Sequence, residues 1–275
     1  MSPLPRHITL ELTTKCNFRC PYCYCVWHEN PALARPALDF AGWKRILDRC
    51  AADGVEDILF TGGEALLHRN LLNILVYARK NLPRARLSLF TNGSRMTETL
   101  LRTFKRRRIH LSTSLQGLRS YQEMTGTRRS FERQLALIAR AAELKWPFAV
   151  SITVTKANRN EISDIYAAAA LSGASVILVA AMMAEGRGRD HLDLMLTRRE
   201  WESVKKEIRA LPNTGVPYSF ADEFICACRE QPKAFLRRFA DPDHRPCPAG
   251  RAFGVIGPNG TFRDCLHTTT SRALL

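Results

Sequence analysis

No uncharged apolar run in the sequence approaches the ~18 residues that a membrane-spanning helix requires, so a transmembrane span is not expected. The opening residues Met1-Ser2-Pro3-Leu4-Pro5-Arg6-His7 lead straight into an alternating apolar stretch, without the basic and apolar regions of a secretory signal. A cytoplasmic protein without membrane partners is therefore expected. No internal repeat is present. Acidic residues are scarce, 26 against 41 Lys and Arg, which leaves a formal charge of +15. The densest basic run, Lys105-Arg106-Arg107-Arg108, has no interleaved aromatics to form a stacking platform for single-stranded nucleic acid. It follows a helical pattern, where basic residues suit a solvated helix C-terminus. Nucleic acid is thus not the expected partner, whereas an acidic peptide could use the same surface.

What is present is a chain of 275 residues, 45% apolar, long enough for one sizeable core and a small appendage. Short β-rich runs alternate with longer helical patterns. Strands are expected at 7–14, 57–61, 86–91, 109–115, 147–155 and 175–182, and helices at 40–52, 71–81, 97–105, 131–145 and 161–172. Alternation of this kind predicts an α/β fold with a parallel sheet, curled into a partial (β/α)6 TIM-like barrel. Polar or Gly-rich segments follow the strand ends, among them Thr61-Gly62-Gly63-Glu64, Thr91-Asn92-Gly93 and Ser114-Leu115-Gln116-Gly117. In barrel enzymes such loops build the active-site face. The repeat stops after Met183. The expected organisation is a barrel over 1–190, a helical linker over 191–240 with a helix at 198–211, and a small Cys-rich C-terminal extension over 241–275.

Nine cysteines in a reducing compartment point to metal or catalysis rather than to disulfides. Cys50 falls within an amphipathic helical pattern and reads as a small buried hydrophobe. Cys16, Cys20 and Cys23 follow the first strand at spacing CxxxCxxC. Three thiols on so tight a loop can wrap three corners of a cuboidal iron–sulfur cluster and leave one iron without a protein ligand. The competing reading is a zinc knuckle with Cys25 as fourth ligand, but CxxxC is not a preferred zinc spacing and a βα scaffold is not a small zinc fold.

The motif, with Tyr22 as the aromatic residue before the last Cys, resembles the radical S-adenosylmethionine (SAM) superfamily. The resemblance implies a [4Fe-4S] cluster on Cys16, Cys20 and Cys23, with the open iron chelated by the amino and carboxylate groups of S-adenosyl-L-methionine and Tyr22 near the adenine. Gly62-Gly63-Glu64 is similar to the family's Gly-Gly-Glu-Pro element, which holds the methionyl ammonium. Ala65 replaces the usual Pro. Thr91, Asn92, Ser112 and Ser114 resemble strand ends that contact the cofactor's carboxylate and ribose. Gln116 stands where many relatives have Asp, keeping an oxygen acceptor and losing the charge. Ordinary turn chemistry is an equal alternative for these strand-end residues.

Toward the C-terminus, Cys247-Pro248-Ala249-Gly250 and a turn at Gly257-Pro258-Asn259-Gly260 leading to Cys265 read as a hairpin with a Cys at each end. This resembles the SPASM and twitch modules, and the chain's end ten residues after Cys265 implies a shortened, twitch-like form with one auxiliary cluster. Cys226 and Cys228 could complete its ligands together with Cys247 and Cys265, or one of the two could be free and leave an open site for substrate or catalysis; the alternative is that they are reduced, unliganded thiols. Gly126-Thr127-Arg128 and Glu185-Gly186-Arg187-Gly188-Arg189 resemble segments of the same group.

The family resemblance implies reductive cleavage of the cofactor to a 5′-deoxyadenosyl radical that abstracts hydrogen from substrate, with an electron donor such as flavodoxin or ferredoxin. The favoured substrate is a ribosomally made peptide, receiving a crosslink, thioether, epimerisation or oxidation. No recognition domain precedes His7, so a separate protein or the barrel itself would bind the leader. The alternatives are a small-molecule radical enzyme of tetrapyrrole or cofactor biosynthesis, and a non-catalytic metal-binding protein with a basic face for nucleic acid.

Overall fold

The computed structural model describes residues 3–128, 130–221, 224–225 and 245–274. In chain order the elements are β1 (His7–Glu11), α1 (Phe40–Ala52), β2 (Asp57–Thr61), α2 (Leu71–Asn81), β3 (Arg86–Thr91), α3 (Glu98–Arg106) and β4 (Ile109–Ser114). These are followed by α4 (Tyr121–Thr125), α5 (Phe131–Glu143), β5 (Phe148–Val154), α6 (Ile162–Leu171), β6 (Val176–Ala181) and α7 (Arg198–Ala210). The short strands β7 (Tyr218–Phe220), β8 (Phe224–Ile225), β9 (Arg245–Pro246), β10 (Phe253–Ile256) and β11 (Phe262–Arg263) complete the series. No helix among the described residues is long and apolar enough to cross a membrane.

The chain groups into two compact units, the first comprising Met1–Asn17, Cys25–Leu111 and Pro248–Leu275, the second Phe18–Tyr24 and Ser112–Cys247. The strand β4 runs across the division at residues 111 and 112.

In the first unit β1, β2 and β3 pair in parallel, His7 opposite Asp57 and Asp57 opposite Arg86. The α1 pattern decides how the sheet is covered. Trp43, Ile46, Leu47 and Cys50 recur at i, i+3, i+4 and i+7, and all are fully buried. They pack with Ile8, Leu10, Ile58, Phe60, Leu87 and Leu89 from alternate strand positions. Asp39 caps α1, its Oδ1 accepting from Gly42 N at 2.8 Å. Burial in this core pushes the Cys50 thiol up to about 12, the inert packing role expected for it.

The C-terminal hairpin extends the same sheet. β10 lies parallel to β1, with Ile8 opposite Gly254, and β11 returns antiparallel to β10. Sequence patterning marks the turn, where Gly257 N donates to Thr261 O at 2.9 Å and Gly260 takes φ +80°. It does not reveal β1 as the partner of β10. Seating the hairpin buries Arg263, which donates through Nη2 to Glu11 of β1 and through Nη1 to Thr268 O at 3.2 Å; both ionised side chains are 1% exposed.

In the second unit β5, β6 and β7 pair in parallel, Val150 opposite Ile177 and Ile177 opposite Tyr218. β5 alternates strictly, burying Phe148, Val150, Ile152 and Val154. The helix α7 starts with a capping box: Glu200 N donates to Thr197 Oγ1 at 3.2 Å and Thr197 N to Glu200 Oε2 at 2.7 Å.

Removing one member of a buried pair leaves the other charge uncompensated. Arg263→Met and Glu11→Gln should each lower unfolding free energy by about 3–5 kcal/mol in urea titrations. Glu11→Leu combined with Arg263→Met should recover part of that loss; a double-variant loss equal to the sum of the two single losses would show that the pair does not act as a unit.

Candidate functional site

In the first unit the backbone ladder between β1 and β2 does not stop at the strand ends. Leu12 N donates to Thr61 O at 2.9 Å, Gly63 N to Thr13 O at 2.7 Å and Glu64 N to Lys15 O at 2.8 Å. The chain leading to Cys16 therefore lies directly against the Gly-Gly-Glu segment. Only glycine permits this approach. A Cβ at Gly62 would stand 2.5 Å from Thr13 O, and one at Gly63 2.5 Å from Lys15 O; Gly62 also has φ +143°. The two glycines serve a chain crossing as much as they could serve a ligand.

Glu64 is 2% exposed. Its Oε1 accepts from Leu66 N at 2.9 Å and from Thr91 Oγ1 at 2.7 Å, and its Oε2 from Asn92 N at 2.7 Å. Burial nevertheless holds its pKa above the ordinary carboxylate value, because these neutral donors only partly offset the loss of water. A cation beside it would supply what the dipoles do not.

The third strand end closes the arrangement. Asn92 Oδ1 accepts from Ser94 N at 3.0 Å and Ser94 Oγ at 2.6 Å, an Asx turn. Asn17, the residue after Cys16, donates to Ser94 Oγ at 2.7 Å and accepts from Asn92 Nδ2 at 3.1 Å. Cys16 itself is exposed. Sequence reading singled out Asn92 but missed Asn17 and Ser94; the Asn92-Gly93-Ser94 turn pattern was the available signal. Cys25 is buried, its Sγ 4.0 Å from Gly62 O.

In the second unit the rest of the thiol loop is held by main-chain groups. Cys23 N donates to Cys20 O at 3.2 Å, Arg19 N to Thr125 O at 3.0 Å, and Arg187 N to Cys23 O at 2.8 Å. The segments around Gly126 and Gly186 thus brace this loop. Gly126 takes φ +71°, and a Cβ there would sit 3.0 Å from the Arg19 side chain. Glu185, fully buried, pairs with Arg189 at 3.1 Å and steadies the second brace. Cys20 and Cys23 are half-buried. Burial, followed by the neighbouring Cys20 and Cys23, drives the Tyr22 hydroxyl well above its ordinary pKa, and that hydroxyl hydrogen-bonds Cys20. Phe18 meets Tyr121 edge-on at 6.4 Å, and Tyr121 packs on Phe131 at 4.8 Å.

At the end of β4, Ser112 is half-buried and Ser114 buried, its Oγ 3.5 Å from Gln134 Nε2. Gln116 is buried, and its side-chain oxygen accepts from Thr153 N at 2.6 Å. Asn158 Nδ2 binds Gln116 O at 2.7 Å and Thr153 O at 2.8 Å, so this position ties β4 to β5. Glu161, unmarked in the sequence, is also buried. It accepts from the amides of Leu118, Arg119 and Ser120 at 3.2, 2.9 and 3.0 Å, and from Ser120 Oγ. Burial alone would raise its pKa, but the hydrogen bonds from Ser120, Arg119 and Leu118 outweigh it and hold Glu161 below the ordinary value.

The hairpin brings Gly250 against Asp264, Gly250 N donating to Asp264 O at 3.2 Å. Cys247 is half-buried and Cys265 buried. Cys226 and Cys228 lie outside the described residues. Among the described residues no three Cys, His, Asp or Glu side chains are drawn into a metal-holding group.

A family model described as the Radical SAM superfamily matches residues 10–169. Sporulation killing factor maturation protein SkfB of Bacillus subtilis (strain 168) is 26% identical over 194 residues, covering 69% of this chain and 45% of that protein. PqqA peptide cyclase of Xanthomonas campestris pv. campestris (strain B100) is 29% identical over 276 residues, covering 96% and 68%. Among solved structures, Streptococcus suis SuiB bound to precursor peptide SuiA matches with TM-score 0.72 at 18% identity, over 98% of this chain and 62% of SuiB. The expected α/β fold, of the partial-barrel class, is thereby shared with solved proteins. This chain spans less than half the length of SkfB.

The Glu161 geometry has a pH signature. A folded-state pKa below the unfolded one contributes stability that is present above the unfolded value and lost as pH falls through the folded value. Glu161→Gln should therefore cost about 1–3 kcal/mol at neutral pH, with the gap to the parent protein closing below the ordinary glutamate range. Urea midpoints measured across pH 3–7 would check this, and a gap that widens toward acid would contradict it.

Proposed function

The chain belongs to the radical SAM superfamily, and we propose that it binds a [4Fe-4S] cluster through Cys16, Cys20 and Cys23, together with S-adenosyl-L-methionine, to modify a peptide. When bound, that pair supplies one-electron cleavage of the sulfonium to methionine and a 5′-deoxyadenosyl radical able to take a hydrogen atom from substrate. The observation that carries this reading is the thiol loop's start laid against Gly62-Gly63-Glu64, with an undercompensated buried carboxylate beside it. The residues fit the cofactors: thiolate donors suit iron, and a carboxylate held by neutral dipoles alone favours an ammonium neighbour.

Each residue then has a role. Glu64 draws the methionyl ammonium and fixes the β3 end through Thr91 and Asn92. Gly62 and Gly63 keep the thiol loop close to that carboxylate. Asn17 and Asn92 hold the position after Cys16. Tyr22 presents its ring to the adenine, and Ser112 and Ser114 lie on the strand that would face the ribose. Gln116, with its oxygen engaged by Thr153, is a support for that strand end and not a base. The apolar packing of Phe18, Tyr121 and Phe131 excludes water behind the loop.

A peptide substrate is favoured by the relatives: one matures a killing factor, one cyclises the PqqA peptide, and the structural neighbour was solved with its precursor peptide. An external electron donor such as flavodoxin or ferredoxin and a separate recognition protein complete the proposed system, in the cytoplasm. We further assign residues 1–190 to the cofactor-binding barrel, 191–240 to a helical linker and 241–275 to an auxiliary-cluster segment. The auxiliary ligands would be Cys247 and Cys265, with Cys226 and Cys228.

Anaerobically reconstituted, reduced protein should form 5′-deoxyadenosine from S-adenosylmethionine, and Cys16→Ala should abolish it. Cys265→Ala should spare cleavage and lower bound iron; unchanged iron would remove the auxiliary cluster from the proposal. Candidate precursor peptides encoded nearby, followed by mass spectrometry, test the substrate. Turnover of a tetrapyrrole or cofactor precursor with no peptide modified would move the assignment to small-molecule chemistry.

A further inference from the structure

The thiol loop and its cradle occupy the C-terminal ends of β1 to β3. The N-terminal ends of the same strands carry a different chemistry. Three acidic residues lie there, and each already has an arginine: Asp53 takes Arg49 at 2.6 Å, Glu56 takes Arg6 at 2.5 Å, and Asp57 takes Arg86 Nε at 2.7 Å. Lys80, Arg84, Arg106 and Arg108 are exposed and have no acidic partner among the described residues. One guanidinium holds the surface that carries them. Arg79 donates through Nε to Arg107 O at 3.2 Å and through Nη2 to Arg108 O at 2.9 Å. Its Nη1 reaches Leu82 O, Pro83 O and Ala85 O at 3.4, 3.1 and 2.9 Å. The turn after α2 is thereby fastened to the turn after α3. Like charges that would otherwise separate are fixed side by side, at a cost in self-repulsion.

The surroundings select the kind of partner. Phe104 is buried at 1% exposure, and the Tyr77 ring on α2 is engaged by Phe40 edge-on and by Lys44 over its face, so neither ring is offered for base stacking. Along the outer face of α2, Leu72 and Val76 are exposed at 42% and 38%, and Lys80 continues their i, i+4 spacing into the basic surface. Aliphatic groups leading into unpaired cations match a polypeptide with apolar residues followed by carboxylates. A phosphate backbone would leave the aliphatic part uncovered.

We propose that this face docks an acidic, partly apolar segment of the peptide substrate, remote from the residue being modified. The inference rests on the peptide reading above. β3 has six residues, about 20 Å, so the docked segment and the modified residue must be separated by at least about six extended residues of substrate.

The test uses the full chain and a fluorescein-labelled 16-residue peptide of Glu and Leu, read by anisotropy at low salt. The triple variant Lys80→Glu, Arg84→Glu, Arg106→Glu should bind about tenfold more weakly. The triple variant Arg133→Glu, Arg199→Glu, Lys206→Glu, with the same charge change at exposed positions of the second unit, should bind within about twofold of the parent. Equal weakening in both would overturn the proposal, since net charge alone would then explain binding. A duplex RNA or phosphatidylserine vesicles that bind more tightly than the peptide, with loss confined to the first variant, would also overturn it in favour of those partners. Peptide-free 5′-deoxyadenosine formation, measured in parallel, should be equal in parent and first variant. Its absence from the parent would count against the enzymatic reading, independently of the binding result.

Discussion

The first unit depends on a crossing of two backbones with no side chain between them. Where β1 gives way to the thiol loop, its main chain continues to pair with residues 61–64 beyond the end of β2, and the contact is too close for any Cβ at Gly62 or Gly63. Once that contact is made, the positions of Cys16, Glu64 and, through Glu64, the β3 end are no longer independent. Loops after parallel strands are normally free to diverge. Here three of them are linked by hydrogen bonds into one piece, and glycine is what allows it.

Two buried glutamates illustrate how the same side chain is given opposite tasks. Glu161 sits in a nest of consecutive amides and is held charged, so it is a finished structural element with its donors already in place. Glu64 is bound by a hydroxyl and by amides from two separate loops, and burial still outweighs them. The difference is the number and convergence of donors. A carboxylate left short of compensation in this way is a place for an incoming cation, whereas a fully satisfied one is not.

Much of this was legible before the structure. Helix α1, strand β2, helix α2 and strand β3 follow the sequence periodicity to the residue, because each has a clean period and is bounded by capping or turn residues. The short α4 and β7 were not legible: five and three residues carry too little pattern to stand out, and the packing of buried Tyr121 and the pairing of β7 with β6 are tertiary. Strand partnership was equally hidden. The turn at Gly257–Gly260 could be read, but nothing local to residues 253–256 identifies β1 as their neighbour. At the site, the sequence shows residue types but not their hydrogen-bond partners. Gly62 and Gly63 permit a chain crossing, and the oxygen acceptor that Gln116 keeps in place of Asp is engaged by Thr153 N.

Within each unit the thiol loop's segment is supported through its main chain. Thr13 O and Lys15 O receive the Gly-Gly-Glu amides, Arg19 N reaches Thr125, and Cys23 O receives Arg187 N. To these main-chain contacts the loop adds the side chains of Asn17 and Phe18 and the Tyr22–Cys20 hydrogen bond. That puts much of the structural burden on residues far away in sequence. Gly126 matters because it admits Arg19 at close range, and Gly186 because it turns the chain toward Cys23. A side chain at Gly126 would press on Arg19, so the cost of changing a residue with no chemistry of its own would fall on the thiol loop.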